Sequence, residues 1–162
     1  MILDEEVFAV ILAVSIISSA LGVALVLKPE NPEPFSALGL LNEECKIGDY
    51  PKIAINNSLL RLCIYVANYM GKPTYYKVVY KLAYNETLPS KDSPSPEPVV
   101  SEWRLVLAHG ENKTVLVDVV VYDPWTRGRV ALVFELWTYD HASSSWVYTG
   151  VWNHLYIDVV SV

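Results

Sequence analysis

Apolar and polar positions along the chain fall into two regimes that meet near residue 28. Val7 to Leu27 reads VFAVILAVSIISSALGVALVL, without a charge, a proline or a side-chain amide. As a helix at 1.5 Å per residue it spans ~31 Å, matching the ~30 Å hydrocarbon depth of a bilayer. The pattern therefore predicts a transmembrane anchor over residues 1–28. Asp4, Glu5 and Glu6 fall at its start, where carboxylates favour the exposed N–H groups of a first turn. The run has no basic stretch before it and no A-x-A-like site after it, which points to an uncleaved anchor instead of a signal peptide.

Lys28-Pro29-Glu30-Asn31-Pro32-Glu33-Pro34 ends that helix, since proline removes a donor and biases the preceding residue to extended backbone. Residues 29–37 are expected to be a stiff stalk. From residue 38 the period changes to two, and 38–162 is read as one domain of strands. Leu59 to Tyr69 and Thr74 to Tyr84 flank the Gly71-Lys72-Pro73 turn and are expected to form a hairpin. Tyr76, Val78, Tyr80 and Leu82 share the buried face of its second strand, with Lys77 and Lys81 opposite. Leu88 to Pro98 holds four prolines and three serines and reads as an exposed crossover loop between sheets. Strands resume at Val99–Ala108, Lys113–Tyr122, Arg129–Tyr139, Trp146–Val151 and Leu155–Val160. Short strands at such spacing predict an all-β, immunoglobulin-like antiparallel sandwich behind one N-terminal transmembrane helix, with a closed barrel as the alternative.

Composition narrows the partners. Twelve basic against eighteen acidic residues give a net charge of -6, with no basic cluster suited to phosphates, so nucleic acid is not an expected partner. Cys45 and Cys63 form no C-x-x-C motif. If Leu62, Ile64 and Val66 face the core, alternation turns Cys63 to the other face, where it can meet Cys45 on a neighbouring strand; two unpaired thiols are the alternative.

The Pro34-Phe35 step, Leu40-Leu41-Asn42 to Gly48, Tyr50-Pro51, the strand ending Val66-Ala67-Asn68, the segment around Tyr75-Tyr76 and Leu155-Tyr156-Ile157-Asp158-Val159 carry a resemblance over nearly the whole chain. Together they resemble the C-terminal region of an archaeal membrane-protein family, domain of unknown function number sixteen-sixteen. The resemblance implies an extracytoplasmic sandwich after membrane helices and supplies no catalytic residues. That family has several such helices where this chain has one.

Candidate sites are few. Ser15, Ser18, Ser19 and Gly22 lie on one helix face at small-xxx-small spacing, which suits close packing of another membrane helix. Asn56, Asn85 and Asn112 each begin an N-x-S/T triplet near a turn and are candidate glycosylation sites. His109, His141 and His154, with Asp140, show no metal-ligand spacing, and no nucleophile with a supporting histidine or phosphate-binding glycine loop stands out, so no cofactor and no enzyme activity are expected. Five tryptophans and eleven tyrosines form a heavy aromatic load; Trp125, Trp146, Tyr148 and Trp152 lie in or beside loops, where they suit carbohydrate or protein contact. Lys28 and Lys46 follow the anchor and no base precedes it, which by the positive-inside rule favours a cytoplasmic domain. Sequons, the sandwich pattern and, were Cys45 and Cys63 to pair, a disulfide favour the outside. The expectation is a single-pass protein of the cell membrane, contacting lipid and another envelope protein or its own copies. A type IV pilin-like subunit is the alternative, with an envelope hydrolase the third.

Overall fold

The computed structural model describes residues 4–27 and 32–162, in two units, one ending at Glu33 and one running Pro34–Val162. In the first, helix α1 spans Glu5–Leu27, with Glu5 and Glu6 in its opening turn. It is the one helix among the described residues long and apolar enough to cross a membrane. Residues 28–31 of the expected stalk lie outside the described residues.

The second unit is built from β1 (Phe35–Leu41), β2 (Ile53–Ile55), β3 (Ser58–Tyr69), β4 (Thr74–Ala83), β5 (Val99–Leu107), β6 (Asn112–Val121), β7 (Arg129–Asp140) and β8 (Ser145–Val160). A three-stranded sheet has the order β1-β3-β6, and a five-stranded sheet the order β2-β8-β7-β4-β5. Every pairing is antiparallel except β2 with β8, which is parallel. The expected wholly antiparallel arrangement is corrected at that edge: the chain leaves one sheet after β1, touches the other for three residues and returns as β3. The β unit also starts earlier than expected, because Phe35, Ser36 and Ala37 pair with Tyr69, Asn68 and Ala67 instead of belonging to the stalk.

Alternation explains the core. Leu62, Ile64 and Val66 of β3 and Val117 and Val119 of β6 meet Tyr76, Val78, Tyr80 and Leu82 of β4 and Leu132, Phe134 and Leu136 of β7. Burial of each such Leu or Phe side chain contributes about 1.5–3 kcal/mol before ordering costs. Two tyrosines of β4 also tie the layers together: the Tyr80 hydroxyl donates to the Val120 carbonyl at 2.8 Å, and the Tyr76 hydroxyl lies 2.7 Å from Ser36 Oγ. Burial pushes both phenols up from their ordinary pKa.

Three expectations change for physical reasons. β3 and β4 are not a hairpin, since β1 and β6 flank β3 while β5 and β7 flank β4, leaving neither an open edge for the other. The intervening corner changes layer, held by Asn68, whose Nδ2 donates to the Lys72 and Leu107 carbonyls while its Oδ1 accepts from Met70 N–H. The stretch 88–98 does not cross between sheets: it joins β4 to its neighbour β5 and folds back over their own sheet, burying Pro89 and Ser95. Trp146–Val151 and Leu155–Val160 are one strand, with a register irregularity opposite Glu135 and Trp137 where Gly150 adopts φ +81°.

Registers also define two ends of the β unit. Phe35, the corner at 70–73, the β5–β6 turn and the β7–β8 turn lie at one end. Asn56, residues 84–87, the 122–128 loop and the end of β8 lie at the other, joined by Asn56 N–H to the Val160 carbonyl and Asn57 N–H to the Val121 carbonyl.

Candidate functional site

On α1, Ser15, Ser18, Ser19 and Gly22 stand at spacings of three and four and so share a face. Ser15 Oγ donates to the Ile11 carbonyl and Ser19 Oγ to the Ser15 carbonyl, each at 2.8 Å. Those hydroxyl protons are used within the helix, so the face offers close backbone approach more than polar contacts. A Cβ at Gly22 would meet nothing within 4 Å.

Cys45 and Cys63 are joined in a disulfide with Cα atoms 5.1 Å apart. Cys63 occupies the outward face of β3 that alternation assigns it, yet is fully buried by the segment bearing Cys45. That segment is a tight turn, not a neighbouring strand: Asn42 Oδ1 accepts from Glu44 and Lys46 N–H, its Nδ2 donates to the Gly48 carbonyl, and Cys45 adopts φ +58°.

Asn85 is exposed on a turn of 3-10 helix (Asn85–Thr87), and Asn112 is exposed as the first residue of β6. Asn56 is half-buried in the β2–β3 turn, where its Oδ1 accepts from Asp123 N–H at 3.2 Å. The histidines are dispersed. His109 Nδ1 accepts from Gly71 N–H, His141 lies edge-on to Tyr139, and His154 stacks on Trp152. Asp140 closes its own turn through Ser143 Oγ and Ala142 N–H, which hold its carboxyl below the usual range. The described residues hold no group of three or more His, Cys, Asp and Glu side chains able to bind a metal.

Of the four loop aromatics, the structure brings together Trp146 and Tyr148. Trp125 packs on Tyr84 at the far end, and Trp152 lies opposite Glu135 on the sheet's outer face. Straight cross-strand rows organise that face. One row runs Val106, Tyr75, Tyr139, Trp146, and the next Arg104, Lys77, Trp137, Tyr148. Tyr75 and Trp146 have ring centroids 4.8 Å apart, Tyr139 and Trp146 5.3 Å, and Trp137 and Tyr148 5.4 Å. Lys77 Nζ sits 4.7 Å from the Trp146 ring and 5.3 Å from that of Trp137, while the Arg104 guanidinium is 5.4 Å from Trp146. These are cation–π distances.

Beyond these rows segment 88–98 covers the outer face at Lys81 and Glu135, while His154 on β8 stays exposed. Glu135 is fully buried and Lys81 nearly so, with Lys81 Nζ 3.1 Å from Glu135 Oε2. The carboxylate also accepts from Ser95 N–H at 2.7 Å and Trp137 Nε1–H at 3.2 Å, and Lys81 donates to the Ser95 carbonyl at 2.7 Å. Segment 88–98 is thereby fastened at Ser95, and again at Ser90, whose carbonyl accepts from the Tyr148 hydroxyl at 2.7 Å. Sequence alternation placed Lys81 on the outer face; it carried no sign that the chain would cover it. Among the described residues no buried side-chain nitrogen or oxygen lacks a partner, so no orphaned polar group marks a catalytic centre.

No protein-family model matches the chain, and no curated protein matches it. Among solved structures it is similar to the CARDB domain of the PF1109 protein from Pyrococcus furiosus, crystallised in complex with di-metal ions. The TM-score is 0.50 at 13% identity, covering 80% of this chain and 96% of that one. A β-glucosidase from Listeria innocua in complex with glucose gives a TM-score of 0.49 at 13% identity, over 78% of this chain and 16% of that one. The first likeness places the β unit in a CARDB-like fold, and it bears on the fold alone. The second carries no argument.

Proposed function

We propose that the chain is a single-pass protein of the cell membrane whose immunoglobulin-like sandwich lies outside the cytoplasm and serves a structural or protein-binding role, without enzymatic activity, in an envelope assembly. The observation that carries this reading is α1. From Val7 to Leu27 it carries no charged side chain on any face, and such a helix is stable when lipid or other helices, not water, surround it. The disulfide between Cys45 and Cys63 and the exposed sequons Asn85 and Asn112 support an oxidising, exported location for the β unit. The residue-level resemblance to the archaeal family agrees with that arrangement.

Alkaline carbonate extraction and mass spectrometry of the protein from native membranes test it together. Retention in the pellet with an intact Met1 region supports an anchor. Release overturns the membrane reading, and a processed start to the apolar run transfers support to a pilin-like subunit. Proteolysis of intact cells that removes the β unit places it outside; protection overturns the placement. Replacing Ser18 and Gly22 with leucine is expected to weaken co-purification of a helix partner, and unchanged co-purification removes that role from the face.

A further inference from the structure

Phe35, where the chain enters the β unit, is 53% exposed and stacks on Tyr69, itself exposed, with ring centroids 4.8 Å apart. At the same end stand Met70 in the corner, Val106 one position before the end of β5, and Val147 just past the β7–β8 turn, the two valines 65% and 45% exposed. A groove of about 380 Å³ opens there, lined by Pro34, Phe35, Ser36, Met70, Val147 and Val151.

We propose that this end of the β unit docks on a lipid bilayer, with Phe35, Tyr69, Met70 and Val147 in the layer of headgroups and upper acyl chains. The docking rests on the reading of α1 as a membrane span and goes beyond it. Covalent reach makes lipid the occupant. α1 closes at Leu27 and β1 opens at Phe35, so residues 28–34 alone join them, reaching at most ~28 Å when fully extended. Of the two ends of the β unit, the Phe35 end is thus the one that the chain delivers to a bilayer crossed by α1.

Charge selects the same end. Glu111 and Asp140 are the acids of its turns, and each is engaged locally: Glu111 Oε2 accepts from Ala108 N–H at 2.6 Å, and Asp140 from Ser143 Oγ and Ala142 N–H. None of the described ion pairs includes a residue of these turns. Lys72 in the corner and Lys113 at the start of β6 supply cations that suit lipid phosphates. The opposite end also exposes Ile53, Ile55 and Leu59. There, however, Ile53 faces Asp158, which pairs with Arg129 at 3.7 Å, and Arg127 pairs with Glu86 at 3.5 Å. Leu59 shares its face of β3 with Arg61, which holds Asp118. Placing that end against lipid would strip water from these charges, whereas amphipathic rings such as Tyr69 are favoured at headgroup level.

Full-length protein in phosphatidylcholine nanodiscs tests the docking. Phe35→Trp keeps an aromatic ring at the stacking position, and Ser161→Trp sets a reporter at the opposite end; each is read as the change from the wild-type tryptophan signal. Lipid brominated high on its acyl chains is expected to quench the Phe35→Trp reporter and to leave that of Ser161→Trp unchanged. Aqueous iodide is expected to quench Phe35→Trp at least about threefold less than Ser161→Trp. Adding Met70→Glu to Phe35→Trp should raise iodide quenching about twofold and lower bromine quenching to match, while adding Leu59→Glu should alter neither. Equal iodide quenching at the two ends, or bromine quenching of Phe35→Trp unmoved by Met70→Glu, overturns the docking. Release of the protein by alkaline carbonate would overturn the anchor and the docking together; retention beside equal iodide quenching overturns the docking alone.

Discussion

The ammonium of Lys81 and the carboxylate of Glu135 lie 3.1 Å apart, on neighbouring strands, beneath a segment of the same chain that supplies both a carbonyl and an N–H to the pair. A charge pair so deeply placed contributes little net stability when intact, and removing one member strands the other. Lys81→Met and Glu135→Leu are each expected to lower unfolding free energy by about 3–5 kcal/mol, and the double variant to recover most of that loss. Urea unfolding followed by tryptophan fluorescence checks the cycle. Additive losses would mean that the two side chains act independently.

Tyr148 gives the fold an alkaline limit. Burial and the neighbouring Glu135 carboxylate push its phenol up from 10.0 to about 12, and its hydroxyl donates to the Ser90 carbonyl. Because the folded state holds the proton more tightly than the unfolded chain, this contribution is complete below the unfolded pKa of 10.0 and is lost as pH rises through about 12. Stability of the wild-type chain should decline over that window, and Tyr148→Phe should decline less steeply while starting about 1 kcal/mol lower at neutral pH. Unfolding curves at stepped pH, beside ultraviolet titration of the phenols, make the comparison.

Reducing the bond between Cys45 and Cys63 frees the 42–51 turn from β3. Closing a loop of this size is worth about 3 kcal/mol through the unfolded chain. The Cys45→Ser/Cys63→Ala variant is expected to lose that amount in denaturant unfolding, and wild-type protein treated with reductant should match it. A faster-migrating band in non-reducing gels is expected for the oxidised chain only.

Gly150 is the sharpest steric constraint under segment 88–98. It combines φ +81° with a position where an added Cβ would collide with the Lys91 carbonyl oxygen. Gly150→Ala should destabilise the protein by about 1–3 kcal/mol and loosen the segment. Trypsin is expected to cut after Lys91 sooner in the variant. Equal cleavage times would show that the segment is held by Ser90 and Ser95 alone.

What could be read beforehand was periodicity. The faces of Tyr76, Val78, Tyr80 and Leu82, and of Leu132, Phe134 and Leu136, follow from a period of two, and all seven are buried. Which sheet each strand joins was hidden, because alternation says nothing about a strand's neighbours; hence the mistaken pairing of β3 with β4. β1, interrupted by Gly39, and the three-residue β2 had too little alternation to register. Gly39 has a local reason, since a Cβ there would lie 3.2 Å from that of Tyr65 on the adjacent strand. The aromatic surface was legible only as a count of rings. Rows from Tyr75 to Trp146 and from Lys77 to Tyr148 exist because the β7–β8 pair aligns in register with β4, which is distant from it in sequence.

The way β1 joins the sheet has a mechanical consequence. The chain enters the β unit at Phe35 and runs antiparallel to β3 through seven paired positions, ending with Leu41 opposite Cys63. Tension applied at Phe35 along the strand axis would shear those pairings together, whereas peeling would load them singly. Beyond Leu41 the path of force reaches Cys45 and passes through a covalent bond into the middle of β3. A tether pulled from this end therefore meets first a brake and then a bolt, and only reduction or backbone cleavage would let it draw free of β3.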